Sequence, residues 1–461
     1  MSAAAGSAHV EATPRATAPG GVPTPVLTTF DATMITVGIV IGAGIFQTPT
    51  LVAGLAGTPL AMLAAWALGG LLTLIGALTY AELASTYPSA GGDYAFLTRA
   101  YGKHISFLFA WARSTVIVTG SVALIGFILG DYLTRLYSLG PYSSAIYAGL
   151  ATILLTAINL AGLRGSSRMQ NVLTTLEIGG VALVAIAGFV LGSDSTHAAA
   201  SDLATFDGTG TFGLAMVFVL LTFGGWNEAA YVSAEVHGGP RAIIRTLLLS
   251  ITIITIVYLL FVAGALYGLG FERLKTSEAL GVEVIEAVFG ATGGQIMGLI
   301  VAIAALTSMN STMIVGARSN YAVANDWPAL SFMNTWRGDR NTPVVGFIVQ
   351  AAIALALIAF GTVEKDGFAT MVEFTAPVFW FFFMLSGISL FVLRRRDVSI
   401  SRPFRVPLYP LLPGVFVLTC AYLLYSSITY AQSQNAGYVA IAVASSGLIA
   451  LLALRVRRGA A

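Results

Sequence analysis

The stretch Gly38-Ile39-Val40-Ile41-Gly42-Ala43-Gly44-Ile45-Phe46 interrupts an apolar run that is long enough to cross a bilayer, which takes about 20 residues. A second stretch, Phe223-Gly224-Gly225-Trp226-Asn227-Glu228, interrupts another such run near the middle of the chain. Glycine tolerates backbone angles that other residues avoid and leaves room beside the chain. A break within hydrocarbon frees amide and carbonyl groups, which then need protein, water or a ligand as partners. The N-terminus of a half-helix offers free N–H groups and a positive dipole end to a carboxylate. Unwound carbonyls suit an ammonium group or a cation. Small packing residues between membrane helices are the competing explanation. One discontinuous helix in each half of the chain favours an inverted-repeat transporter with its site near the midplane.

The rest of the chain agrees with a membrane setting. Of its 461 residues, 57% are hydrophobic and only 10% charged, against about a quarter charged in soluble domains; the mean hydropathy is +0.84. Cys420 is the single cysteine, and His9, His104, His197 and His237 lie far apart, which argues against a disulfide framework or a metal cluster. A net charge of +2 gives no reason to expect nucleic acid. No nucleotide loop, catalytic triad or HExxH motif stands out, so neither an enzyme nor a cofactor is expected.

About twelve apolar stretches reach spanning length, over 27–53, 59–84, 94–130, 142–163, 169–192, 211–236, 241–270, 292–325, 343–362, 367–393, 408–430 and 436–455. They predict an all-α integral membrane protein. Residues 1–26 read as a disordered cytoplasmic tail, 27–193 and 211–395 as two five-helix repeats, and 406–456 as two added helices. With the N-terminus inside, Arg99, Lys103, Arg164, Arg168, Arg241, Arg245, Arg337, Arg340, Arg394–Arg396, Arg402 and Arg405 fall on one side. The positive-inside rule then puts both termini in the cytoplasm, in a cell membrane. The run at 94–130 is too long for a simple crossing and is expected to tilt or project. Residues 277–289 look like an amphipathic external helix.

Four motifs, in order, resemble those of the amino acid–polyamine–organocation (APC) superfamily, nearest to bacterial permeases related to the L-amino acid transporters. They are Gly42-Ala43-Gly44-Ile45-Phe46; Gly91-Gly92-Asp93-Tyr94-Ala95-Phe96-Leu97; Phe223-Gly224-Gly225-Trp226-Asn227 with Ser233-Ala234-Glu235-Val236 and Pro240-Arg241; and Arg318 through Asp326 with Thr342-Pro343. The resemblance covers residues 27–395. It implies a LeuT-like fold with a 5+5 inverted repeat and alternating access. It also implies a substrate carboxylate near the amides of Gly42, Ala43 and Gly44, with Ile45 beside them. The ammonium would face carbonyls around Val40, Ile41, Phe223 and Gly224, with Gly225 and Trp226 completing the site and the Phe223 ring as outer gate.

Glu177 departs from that pattern. Many members that resemble this segment carry a lysine there, whose ammonium is taken to stand in for a bound sodium ion. An unpaired charge at this depth is expensive. A protonated acid avoids it, and so does a carboxylate holding a cation. Gln170, Thr174 and Glu177 share one helical face, expected to meet Thr307 and Ser308. Glu177 is therefore expected to couple transport to protons, with sodium held by Glu177, Thr307 and Ser308 as the variant; a permanently protonated structural acid is the bland reading.

Glu228 reads either as a pocket acid or as a helix N-terminal acid, and Asn227 as a cap. Glu235 is expected to form an inner gate with Arg241, with Arg245 and Arg318 in reach and Asp31 joining the network. The substrate is expected to be a small or medium neutral L-amino acid, taken up by proton symport or by exchange. A cationic-amine carrier and a non-transporting nutrient sensor are the alternatives. Lipid is the only other partner expected, and no protein subunit can be inferred.

Overall fold

The computed structural model describes residues 24–46, 48–193, 212–277, 280–362, 367–433 and 445–452. The first half comprises α1 (Thr29–Val40), α2 (Thr48–Ala56), α3 (Pro59–Thr86), α4 (Asp93–Tyr101), α5 (Lys103–Ala112), α6 (Val118–Leu136), α7 (Ser143–Ala161) and α8 (Leu163–Ser193). The second comprises α9 (Phe212–Thr222), a 3-10 half-helix (Trp226–Glu235), α10 (Gly239–Leu269), α11 (Phe271–Thr276), α12 (Leu280–Phe289), α13 (Gly293–Asp326), α14 (Val344–Gly361), α15 (Gly367–Arg396) and α16 (Leu411–Ser433). Ten helical stretches among the described residues are long and apolar enough to cross a membrane.

Those ten match ten of the twelve expected spans. The first span is split, its apolar part Thr29–Val40 being too short to cross alone. Of the twelfth, only 445–452 are described, and they are helical. The stretch 94–130 neither tilts nor projects as one rod. Gly102 sits at φ +86 between α4 and α5 and turns α4 into a separate helix. The helix expected within 277–289 is present as α12. The expected tail lies outside the described residues for 1–23. Its last residues are tied down: Val26 N–H donates to the Glu235 carbonyl at 2.9 Å, and Thr24 bonds Asn341.

Packing follows the small residues. At Gly188, Gly264 and Gly268, where α8 and α10 cross, a methyl group would strike the opposing backbone, so the helices approach as closely as membrane helices do. The arginine-rich chain ends gather on one face. There Glu82 of α3 pairs with Arg394 and Arg402, and Arg99 of α4 pairs with Asp397 at 2.6 Å.

Candidate functional site

Both interruptions are true breaks. After Val40 the backbone turns at Ile41 (φ −76°, ψ 79°), and the Gly42 amide bonds back to the Val40 carbonyl at 2.9 Å. A short 3-10 turn, Ala43–Phe46, follows. Its first amides, on Ala43 and Gly44, have no partner within their own turn. In the second break, α9 stops at Thr222 and Gly225 takes φ +102. That angle is open to glycine and costly to other residues. The next ten residues form a 3-10 run, a length that marks a hinge rather than a stable helix. Gly44 is exposed and Gly42, Gly224 and Gly225 are half-buried, although Val40, Ile41, Ile45 and Phe46 beside them are buried. The glycines are therefore the most accessible part of the two breaks.

Tyr258 of α10 ties the breaks together. Its fully buried hydroxyl lies 2.7 Å from the Val40 carbonyl and 3.1 Å from the Thr222 carbonyl. Its ring packs on Trp66 and Phe223, with centroids at 5.6 and 5.0 Å. Tyr258→Phe keeps that packing and removes only the tie, at about 0.5–1.5 kcal/mol for a lost hydrogen bond. We expect a lower melting temperature and a raised KM for uptake; unchanged values would show that the tie does not hold the breaks.

The expected binding residues are packed in different ways. Val40 has its carbonyl occupied twice, by Gly42 N–H and by Tyr258. Phe223, expected as the outer gate, is 1% exposed and wedged between α3 and α10. Its ring supports the break from behind. Trp226 turns away from α1 into a cluster with Tyr80, Phe383 and Phe416. Ile45 is fully buried.

The α8 face meets α1 and α13 as its spacing predicts. Thr174 Oγ1 donates to the Met34 carbonyl at 3.0 Å, Gln170 Nε2 donates to Thr174 Oγ1 at 3.0 Å, and Ser308 Oγ donates to the Gly38 carbonyl at 2.9 Å. Thr307 turns its hydroxyl to the Ile303 carbonyl. One turn beyond Thr174, Glu177 is fully buried and neither carboxyl oxygen has a hydrogen-bond partner. No hydrogen bond joins Glu177 to Thr307 or Ser308 among the described residues.

The gate residues sort differently from the expectation. The buried Glu235 pairs with Arg318 of α13, one contact being Nη2–Oε2 at 2.9 Å. Asn341 donates to the same carboxylate at 3.2 Å. The Arg241 side chain is exposed on the first turn of α10, so it is not the partner. Asp31 does not join that pair: it closes a capping box with Thr28 and accepts from Asn171 of α8 at 2.6 Å. Glu228 is buried against Arg113, the first residue of the π-helical turn that follows α5, with Nη1–Oε1 at 2.9 Å, so its charge is already matched.

Three residues escaped the sequence reading. Arg113 stands alone inside an apolar run, and the rule that flagged Glu177 flags it equally. Asp93 accepts from the hydroxyls of Tyr80 and Tyr231 and from Asn227 Nδ2. It thereby binds α3, α4 and the 3-10 half-helix into one hub. Gly92 (φ +47) permits the hub, since a Cβ there would lie 2.7 Å from the Tyr231 ring. Nothing in the sequence marks Tyr258 out from its apolar surroundings.

Residues 27–453 match the family described as amino acid permease. The chain is 23% identical over 430 residues to the serine/threonine exchanger SteT of Bacillus subtilis, covering 93% of this chain and 96% of that protein. It is 26% identical over 427 residues to the rat b(0,+)-type amino acid transporter 1, covering 90% and 85%. It is 27% identical over 403 residues to the human large neutral amino acids transporter small subunit 2, covering 86% and 74%.

Proposed function

This chain belongs to the amino acid permease family, and from that premise we propose that it carries small or medium neutral L-amino acids by alternating access, coupled to protons or running as an exchanger. It is an amino acid transporter of many membrane helices and not an enzyme. The observation that carries the finer reading is the meeting of two helix breaks through Tyr258, with accessible glycines at both. We assign the substrate carboxylate to the amides of Ala43 and Gly44 and the ammonium to the carbonyls of Ile41, Phe223 and Gly224. Gripping both ends of the substrate by backbone suits any α-amino acid, because every one presents the same two groups. The relatives named as a serine/threonine exchanger and a large neutral amino acids transporter subunit support a neutral side chain.

The proposed architecture is LeuT-like, with 27–193 and 211–395 as inverted repeats and 406–456 appended. Both termini lie in the cytoplasm, so the Glu235–Arg318 pair closes the inner side. The proposed proton site is Glu177. Its lack of any hydrogen-bond partner supports a neutral acid in this conformation, because a bare carboxylate would lose its hydration without compensation. A cationic-amine carrier loses support, since Glu228 is taken by Arg113. Uptake of labelled neutral amino acids and of amines into proteoliposomes, with and without pH and sodium gradients, tests the reading. Neutral amino acid uptake driven by the pH gradient is expected. Amine uptake alone, or ligand binding without counterflow, would overturn it.

A further inference from the structure

Both acids of the 3-10 half-helix are taken by arginines of neighbouring helices: Glu235 by Arg318 and Glu228 by Arg113. The second pair lies beside the substrate break. The Glu228 amide bonds the Gly225 carbonyl at 3.0 Å, which puts its side chain one turn from the glycine at the break. Arg113 is held from several directions. Its two Nη atoms engage the two Glu228 oxygens. Its Nε donates to Ser319 of α13 at 2.7 Å, and its guanidinium lies 4.0 Å from the centre of the Tyr231 ring. Such a planar two-pronged pair fills the carboxylate in a way a single ammonium cannot. Asp93, the other acid of this region, is satisfied by Tyr80, Tyr231 and Asn227. The Arg113 side chain is 2% exposed and that of Glu228 is 11% exposed, so the acid is the partner nearer open space.

We propose that Arg113 is a specificity-determining residue: by filling both oxygens of Glu228 it leaves the inner side of the substrate site without a free charge of either sign. The proposal deepens the transport reading above and rests on it. A cationic side chain arriving there finds no acid to pair with and a guanidinium that repels it. An anionic one finds Arg113 already committed. Discrimination of this kind works by refusing the wrong charge rather than by improving the fit of the right substrate.

The predicted consequences are reciprocal. In proteoliposomes, uptake of a labelled neutral amino acid is competed with unlabelled lysine and with unlabelled glutamate, each scaled to competition by the neutral substrate itself. Arg113→Gln frees Glu228 and should strengthen lysine competition by about tenfold or more. Glu228→Gln frees Arg113 and should strengthen glutamate competition by a similar factor. The double variant R113Q/E228Q removes both charges of the pair together and should shift towards neither. Folded single variants that keep the wild-type ratios overturn the proposal, as does a shift of both in the same direction. Should the single variants fail to fold, Arg113→Lys keeps the charge and loses the two-pronged contact. Lysine competition should then rise in smaller measure, and an unchanged ratio overturns the proposal there too. Wild-type protein that takes up no neutral amino acid would instead sink the transport reading, so the two failures are distinguishable.

Discussion

Replacing Glu177 with Gln is expected to abolish uphill, pH-driven accumulation while leaving exchange of amino acid across the membrane. The side chain is fully buried on α8, one turn past Thr174, which is bonded to the α1 backbone. Neither oxygen has a hydrogen-bond partner. Desolvating a carboxylate costs several kcal/mol even after relaxation, so a bare charge is not stable there. In the proposed mechanism, a proton bound while the site opens to one side and released on the other supplies the coupling. With one proton per substrate, a gradient of one pH unit supports about tenfold accumulation. Glutamine has the same shape and cannot release a proton, so the variant should bring labelled substrate only to equal concentrations inside and out. Homoexchange, which moves no net proton, should persist. Retained pH-driven accumulation in the variant would remove Glu177 from the coupling.

Gly225→Ala should cost the largest share of transport for the smallest change in mass. Gly225 holds φ +102 at the second break, and a non-glycine residue in such a region costs of order 1–3 kcal/mol. The added Cβ would lie 2.6 Å from Ile39 Cγ2 of α1, so the two breaks must move apart. Uptake per folded molecule should fall by about tenfold or more. Gly57 provides the control. It also has a positive φ, +75, but nothing lies within 4 Å of a Cβ there, so Gly57→Ala carries backbone strain without touching the site. If G225A loses uptake and G57A keeps it, the spacing of the breaks matters. Equal uptake in both would separate Gly225 from function.

What the sequence makes legible is what local chemistry alone decides. Apolar length locates the spans, because hydrocarbon leaves backbone groups no choice but a helix. The glycines of both breaks are visible as clusters inside apolar runs, and at Gly225 the φ of +102 disfavours any other residue. The Gln170–Thr174–Glu177 face is visible because helical spacing places those residues together. Long-range partners are not legible in this way. Glu235 had several arginines in reach by sequence, and only the crossing of α13 selects Arg318 over Arg241. The rings of Phe223 and Trp226 carry no mark of direction. Packing against Trp66 and Tyr258 claims the first, and Phe383 and Phe416 claim the second. Asp93 sits in a glycine-rich motif whose purpose becomes plain only with the Tyr231 ring against Gly92.

If bare peptide groups at the two breaks grip both ends of an amino acid, masking either end must stop transport. Counterflow in proteoliposomes can compare a labelled neutral L-amino acid with its methyl ester and its N-acetyl derivative. The free amino acid should be carried and both masked forms should fail, since one has lost the carboxylate for Ala43 and Gly44 and the other the ammonium for Ile41 and Phe223. Masked forms carried as well as the free amino acid would contradict the grip outright.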